Sequence, residues 1–376
     1  MPLLPIADFA RRLPGQLATL RSLVEIESPS NDKAAVDRLG AHLETRFRAL
    51  GAAVERVPQP TVGDQWIARW GDAPGGLLLL AHLDTVYPMG TLKDSPWQED
   101  GDRLRGPGVL DMKASLAMAI AAVEALQQAG RLPARSITLL CTSDEETGSH
   151  ASRSLIEDLA SKSGLVLCLE PALPDGSLKT ERKGVGIFRL RIRGRSAHAG
   201  SNPEQGINAI IEMAHQVLRV DKLADPARGT TVNVGVIQGG TRSNVVPEEC
   251  RARIDLRVES LEEARRLEEA VAGLQPVLPG ATIEVEGGMN RPPMVQTPAM
   301  ARAFARAQAL GRELGLSLSG GRTGGGSDAN FVAPLGVPVL DGLGAVGDGA
   351  HSPREFVVRD SLPERTALLA ALLSEA

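Results

Sequence analysis

Three short, nearly uninterrupted apolar runs set the tightest limit on how this chain can fold. Gly76 to His82 (GLLLLAH), Ser136 to Thr142 (SITLLCT) and Leu165 to Leu169 (LVLCL) are too short for helices and lack a polar alternation, so each reads as a strand buried on both faces. Helical patterns lie around and between them. Asp32 to Leu50 carries an apolar period near 3.6 and ends at Gly51, and Lys113 to Ala129 is Ala-rich and closed by Gly130, the residue type that accepts the left-handed conformation past a helix end. This alternation predicts an α/β fold with a mostly parallel sheet and helices on both faces. Ligands of such sheets sit at the carboxyl ends of the strands, and His82, Asp84, Glu145, Glu146 and Glu170 all fall there.

From about Gly184 the order changes to strand, helix, strand, strand, helix, strand. The elements are Gly186 to Arg193, a helix from Pro203 to Leu218 capped by Asn202, Thr231 to Gln238, Arg251 to Val258, a helix capped by Ser260 with Glu263 completing a capping box, and Thr282 to Glu286. That order is the ferredoxin-like βαββαβ arrangement. After NRPPM (Asn290 to Met294) the α/β alternation resumes and brings in His351. A chain of 376 residues exceeds what one core usually serves. The expected division is therefore an α/β domain of residues 1–182 and 291–376, with residues 183–290 inserted in it.

Composition narrows the function classes. With 41 basic and 46 acidic residues the net charge is −5, which argues against nucleic acid or an anionic membrane as a partner. No apolar stretch approaches the ~20 residues of a membrane helix, and MPLLPIADFARRLPGQL lacks the pattern of a signal peptide. A cytoplasmic protein is expected. Cys141, Cys168 and Cys250 stand in apolar or strand-like segments without a CxxC pair and read as small core residues.

The acids and histidines can hold two metal ions. His82 and Glu146 are expected on one ion and Glu170 and His351 on the other, with Asp111 bridging and with Asp84 and Glu145 left for orientation and proton transfer. His82 and Asp84 project to the same side of a strand end, so the carboxylate can hold the ring nitrogen that His82 does not give to metal. Asp111 follows a Gly-Pro-Gly turn and opens the Ala-rich helix, where capping is the plain structural alternative. Glu145 and Glu146 point oppositely in extended backbone, so one can bind metal while the other faces substrate. Taken singly, each of these residues is more often an ordinary polar strand end or loop. Their conjunction in a chain with six histidines lowers that reading. His42 and His215 fall inside amphipathic helices and His150 has no evident partner. His198 stands in GRSAHAG, a small-residue turn that exposes it.

AHLDTV, GVLDMKAS, DEETGS, EP, RSAHAG, NVVP and AHS occur here in one order. In this the chain resembles, over essentially its whole length, the co-catalytic zinc amidohydrolase and peptidase family that includes glutamate carboxypeptidase, aminoacylase, acetylornithine deacetylase and succinyl-diaminopimelate desuccinylase. The resemblance implies His82, Asp111, Glu146, Glu170 and His351 as metal ligands, Asp84 as the orienting carboxylate and Glu145 as general base. It also implies that His198 reaches the partner subunit's active site to stabilise an oxyanion, so that the inserted domain dimerises and the enzyme is a homodimer.

GVGIF, GVIQGGTRSNVVP, NRPPM and RTGGGSDAN look most like the glutamate carboxypeptidase branch. By that similarity Asn244, Arg257 and Arg291 hold a substrate carboxylate, assisted by the backbone amides of Gly325, Gly326 and Ser327. The Gly-rich turn lacks the GK[ST] of a phosphate loop. The expected activity is hydrolysis of the amide bond to a C-terminal, glutamate-like amino acid in a small peptide. The alternative is an N-acyl-amino-acid deacylase on the same centre, and a non-catalytic binding protein is disfavoured because Glu145 and every ligand are present. Two zinc ions per subunit suit the carboxylate and imidazole ligands, with cobalt or manganese compatible by ligand type.

Overall fold

The computed structural model describes residues 2–375. The chain forms two compact units: the first runs to Glu181 and takes in Gln296–Arg322 and the chain from Ser327, and the second comprises Arg182–Val295 and Thr323–Gly326. Arg182, residues 291–295 and the turn at 323–326 thus fall in the second unit rather than the first. The cause is pairing: Arg182 and Met294 exchange backbone hydrogen bonds at 3.0 Å, and the Lys183 amide donates to the Thr323 carbonyl at 3.1 Å.

The first unit is built on a six-stranded sheet in the order Ala53–Val57, Gln65–Trp70, Ile137–Thr142, Leu77–His82, Leu165–Cys168, Val339–Leu340. The last four run parallel to one another, and the first two add an antiparallel edge. Leu77 and Leu79 join the core cluster that includes the helices Ile6–Val24, Ala114–Gln128 and Ser361–Ser374, while Leu78 and Leu80, equally buried, project to the other face by strand alternation. Burying such a side chain contributes roughly 1.5–3 kcal/mol, which is why an apolar run of this kind occupies the sheet centre. Helix Lys33–Ala49 lies close to the edge strands at Gly40, where a Cβ would stand 2.0 Å from the Trp66 indole nitrogen. Cys141, Cys168 and Cys250 are all buried.

The second unit has a four-stranded antiparallel sheet in the order Thr231–Gly239, Glu249–Val258, Gly184–Arg193, Thr282–Arg291, with helices Ala209–Asp221 and Leu261–Ala272 between strands in sequence. This is the ferredoxin-like order. Two local expectations need correction. The first helix starts at Ala209 rather than Pro203, because Ile207 exchanges backbone hydrogen bonds with Arg195 at 2.9 Å and Asn208 is the residue that caps, accepting the Ile210 and Ile211 amides at 3.0 Å. The capping box is half made. Ser260 accepts the Glu263 amide at 3.2 Å, but the Glu263 carboxylate turns to Arg228, Thr230 and Arg266. Among the described residues no helix is long and apolar enough to cross a membrane.

Candidate metal centre

His82 ends the Leu77–His82 strand with its ring fully enclosed. Its Nδ1 donates to the main-chain carbonyl of Asp84 at 2.9 Å, which fixes the tautomer and leaves the Nε2 lone pair for a metal. The Asp84 carboxylate stands 3.5 Å from that nitrogen and is occupied otherwise. It accepts the backbone amides of Glu145 and Glu146 at 3.2 Å each and the Ser30 hydroxyl at 2.8 Å. Asp84 therefore holds the Glu145–Glu146 turn, and the chain's own carbonyl orients His82.

Asp111 does not cap the Ala-rich helix. Its φ and ψ of −114° and 92° are non-helical, and helix Ala114–Gln128 begins beyond it without a side-chain cap. Freed from that role, the carboxylate faces two ways: Oδ1 stands 3.0 Å from His82 Nε2 and Oδ2 stands 3.2 Å from His351 Nε2. His351 sits at a φ of +62° in its Gly-rich loop, a region sparsely used by residues with a Cβ. The expected grouping of His82 with Glu146 is sterically open, since one ligand atom each of His82, Asp111 and Glu146 lie within 4.8 Å of one another, but the shortest imidazole–carboxylate distances pair differently. His82 Nε2 is 3.7 Å from Glu170 Oε1, whereas His351 Nε2 is 3.1 Å from Glu146 Oε2. The shortest separations thus group His82 with Glu170 and His351 with Glu146, each sharing Asp111. Glu145 joins His82 and Glu170 with one ligand atom apiece within 4.8 Å of one another.

The electrostatics follow from burying several carboxylates around two imidazoles. Burial works against charge on His82, but the Asp111 and Asp84 carboxylates outweigh it and raise its pKa well above the ordinary value. His351, beside Asp111 and Glu146, is pushed up to about 11. Burial pulls the Asp111 carboxyl upward, and the two imidazoles reverse this and hold it far below the usual range. Glu146 is raised, chiefly by burial. One further atom is telling: Glu146 Oε1 is buried with no hydrogen-bond partner, a cost that native structures rarely leave unmet. A cation shared with Asp111 and His351 would meet it. The oxygen and imidazole donors suit zinc, and among the described residues no cysteine joins these clusters.

In the second unit His198 is exposed, and its Nδ1 accepts the backbone amides of Gly200 and Ser201 at 3.1 and 3.0 Å. That places the ring proton on Nε2, as a donor. Asn244 lies beside it, its carbonyl accepting the Ala199 amide at 3.0 Å. Arg291 is buried against Gly326, whose Cβ would stand 2.8 Å from the arginine Cδ. Arg257 is already engaged: Asp255 takes its Nε and Nη2 at 2.7 and 2.8 Å, and its Nη1 donates to the Gly324 carbonyl at 3.4 Å. The Ser327 amide is also taken, donating to Asn330 Oδ1 at 2.8 Å inside the first unit, and the Gly325 amide donates to Thr323 Oγ1 at 3.3 Å. The expected row of amides aimed at an anion is thus not formed at these two residues.

One residue escaped the sequence reading. Glu355, four positions after His351, is buried and binds the turn that carries Asp111. A carboxylate shortly after a loop histidine gives no local signal of burial.

The chain matches peptidase family M20/M25/M40 over residues 78–375. It is 33% identical to carboxypeptidase G2 of Pseudomonas sp. (strain RS-16) over 377 positions, covering 96% of this chain and 89% of that protein. It is 30% identical to acetylornithine deacetylase of Edwardsiella ictaluri (strain 93-146) over 269 positions, covering 65% of this chain and 68% of that one. A tripeptidase from Staphylococcus aureus subsp. aureus Mu50 shares the fold with a TM-score of 0.78 at 22% identity, covering 96% of this chain and 98% of the other. By the family match and the full-length relative, the chain belongs to peptidase family M20/M25/M40 and is a metal-dependent hydrolase of that family.

Proposed function

We propose that the protein is a dinuclear zinc carboxypeptidase that releases a C-terminal, glutamate-like amino acid from a small peptide. The observation that carries the reading is the two-sided placement of Asp111, one oxygen toward His82 and the other toward His351. Asp111, His82 and Glu170 would hold one ion, and Asp111, His351 and Glu146 the other. When bound, the ions lower the pKa of water and polarise the scissile carbonyl.

The chain's own groups supply the rest. Glu145 takes the proton of the attacking water and returns it to the leaving nitrogen, its backbone held by the Asp84 carboxylate. His198, protonated on Nε2, donates to the oxyanion from a second subunit. Support for a homodimer comes from the second unit: Thr231–Gly239 is the edge strand of its sheet, a template for pairing with a second chain, and Val236 and Ile237 on that strand are exposed. Arg291 and Asn244 are assigned to the substrate carboxylate, since a guanidinium suits such a group. Arg257, forked onto Asp255, holds the Gly324 turn instead.

The relative named carboxypeptidase G2 favours a peptidase, and the one named acetylornithine deacetylase favours the second reading, an N-acyl-amino-acid deacylase. A substrate panel separates them. Zinc-loaded protein is assayed on dipeptides ending in glutamate, on pteroyl-glutamate and on N-acyl amino acids with neutral side chains. Preference for the glutamate amides over their C-terminal esters supports the carboxypeptidase, and turnover confined to short N-acyl groups supports the deacylase.

A further inference from the structure

Glu355 is 3% exposed although Pro353 and Arg354 just before it are accessible. A carboxylate tolerates such burial only when its oxygens are met by donors. Here Oε1 accepts the Leu110 and Asp111 amides at 2.7 and 2.9 Å, and Oε2 accepts the Gly108 amide at 3.2 Å and the hydroxyl of Tyr87. Three backbone donors of the irregular turn around Asp111, those of Gly108, Leu110 and Asp111, therefore converge on one side chain. Tyr87 is the chain's single tyrosine. Its hydroxyl is directed also at the Ser352 carbonyl, 2.8 Å away and adjacent to His351. One carboxylate and one phenol thus hold both the turn that presents Asp111 and the loop that presents His351.

The geometry explains why such a device is needed. Asp111 has no helical or strand ladder to fix its backbone, and His351 occupies a left-handed conformation that its loop must impose. Two imidazoles can meet opposite oxygens of one carboxylate only if both backbones are set to within a fraction of an ångström.

We propose that Glu355 and Tyr87 are positioning residues that fix the Asp111 turn and the His351 loop relative to each other and so set how tightly both metal ions are held. The proposal rests on the reading of Asp111 and His351 as ligands. Glu355→Gln keeps the volume and one acceptor oxygen but turns a donor toward the Gly108 amide and the Tyr87 hydroxyl. Tyr87→Phe keeps the ring and removes only the link to Ser352 and Glu355.

The test is zinc affinity by chelator competition on the full-length protein, with thermal unfolding of the metal-free forms and kcat and KM at saturating zinc measured alongside. Glu355→Gln is expected to weaken both ions by roughly 10- to 100-fold, the usual effect of removing a group that orients a ligand. Tyr87→Phe is expected to weaken chiefly one ion, with activity returning as zinc is raised. Metal-free variants that unfold at lower temperature while both zinc affinities match the unsubstituted protein would overturn the proposal and leave these residues a packing role. Should Glu355→Gln fail to fold, Tyr87→Phe carries the same comparison. Failure of the unsubstituted protein to bind zinc at all would instead overturn the ligand assignment, and this proposal with it.

Discussion

The Asp84 carboxylate accepts the backbone amide of Glu145, Oδ1 lying 3.2 Å from the nitrogen, while its other oxygen accepts the amide of Glu146 at the same distance. The turn that carries the two glutamates is held through its main chain, so their side chains can be exchanged with little disturbance of the backbone. Glu145→Gln should accordingly lower turnover by about 10²- to 10⁴-fold, the range of a lost general base, while keeping both metals. Metal analysis of the purified variant checks this. Loss of metal in step with activity would show that the roles of Glu145 and Glu146 are exchanged.

Asp111→Asn should impair both metal positions together, because His82 and His351 stand against different oxygens of this one side chain. Zinc stoichiometry under graded chelator is the measurement. Retention of one ion at unsubstituted affinity would refute the bridging role.

Metal loading should depend on pH with a defined sign. In the metal-free protein the neighbouring carboxylates keep His82 protonated well above its ordinary range and push His351 up to about 11. A metal needs the Nε2 lone pairs, so binding at neutral pH must expel these protons. Affinity should therefore rise with pH between 6 and 8, and zinc addition should acidify a weakly buffered solution. A flat affinity with no proton release would contradict the arrangement.

His198→Ala should give metal-loaded protein that is about 10²- to 10³-fold slower, the usual effect of removing an oxyanion donor. If the histidine serves a partner subunit, mixing this variant with Glu145→Gln should restore activity, because one site of each heterodimer then has an intact glutamate and an intact histidine. Exchange of subunits seen by native mass spectrometry, with no recovered turnover, would sink the cross-subunit role.

Glu263 supplies a test remote from the metals. It is 2% exposed, and Arg266 first, with Thr230 and Arg228, lowers its pKa to about 2. A depressed carboxyl stabilises the fold above its unfolded pKa, near 4.3, and loses that contribution as pH falls through about 2. Glu263→Gln should cost about 1–3 kcal/mol at neutral pH, and the difference from the unsubstituted protein should shrink as acid is added. Denaturant unfolding at several pH values measures it, and a pH-independent difference would mean that volume and not charge is at stake.

Local pattern was enough for part of this protein. The apolar runs at 77–82, 136–142 and 165–169 specify buried strands because a side-chain period and a run length are properties of adjacent residues, and the polar residues that end them lie at strand ends for the same reason. The βαββαβ order of the second unit was legible on the same grounds. Pairing across space was not. Whether His82 meets Glu170 or Glu146 depends on where three separate loops come to rest, and every one of those side chains has the same chemistry. Asn202 and Asn208 are equally good caps by type, and the tertiary bridge between Ile207 and Arg195 chose the second. Arg257 reads as an anion-binding fork until Asp255, two residues away on the same face of its strand, is seen to fill it. Residue type and spacing determined which side chains are candidates for ligands and roughly where they lie. The tertiary structure alone decided which atoms face one another, because hydrogen-bond and ligand geometry is set by tenths of an ångström that no sequence period encodes.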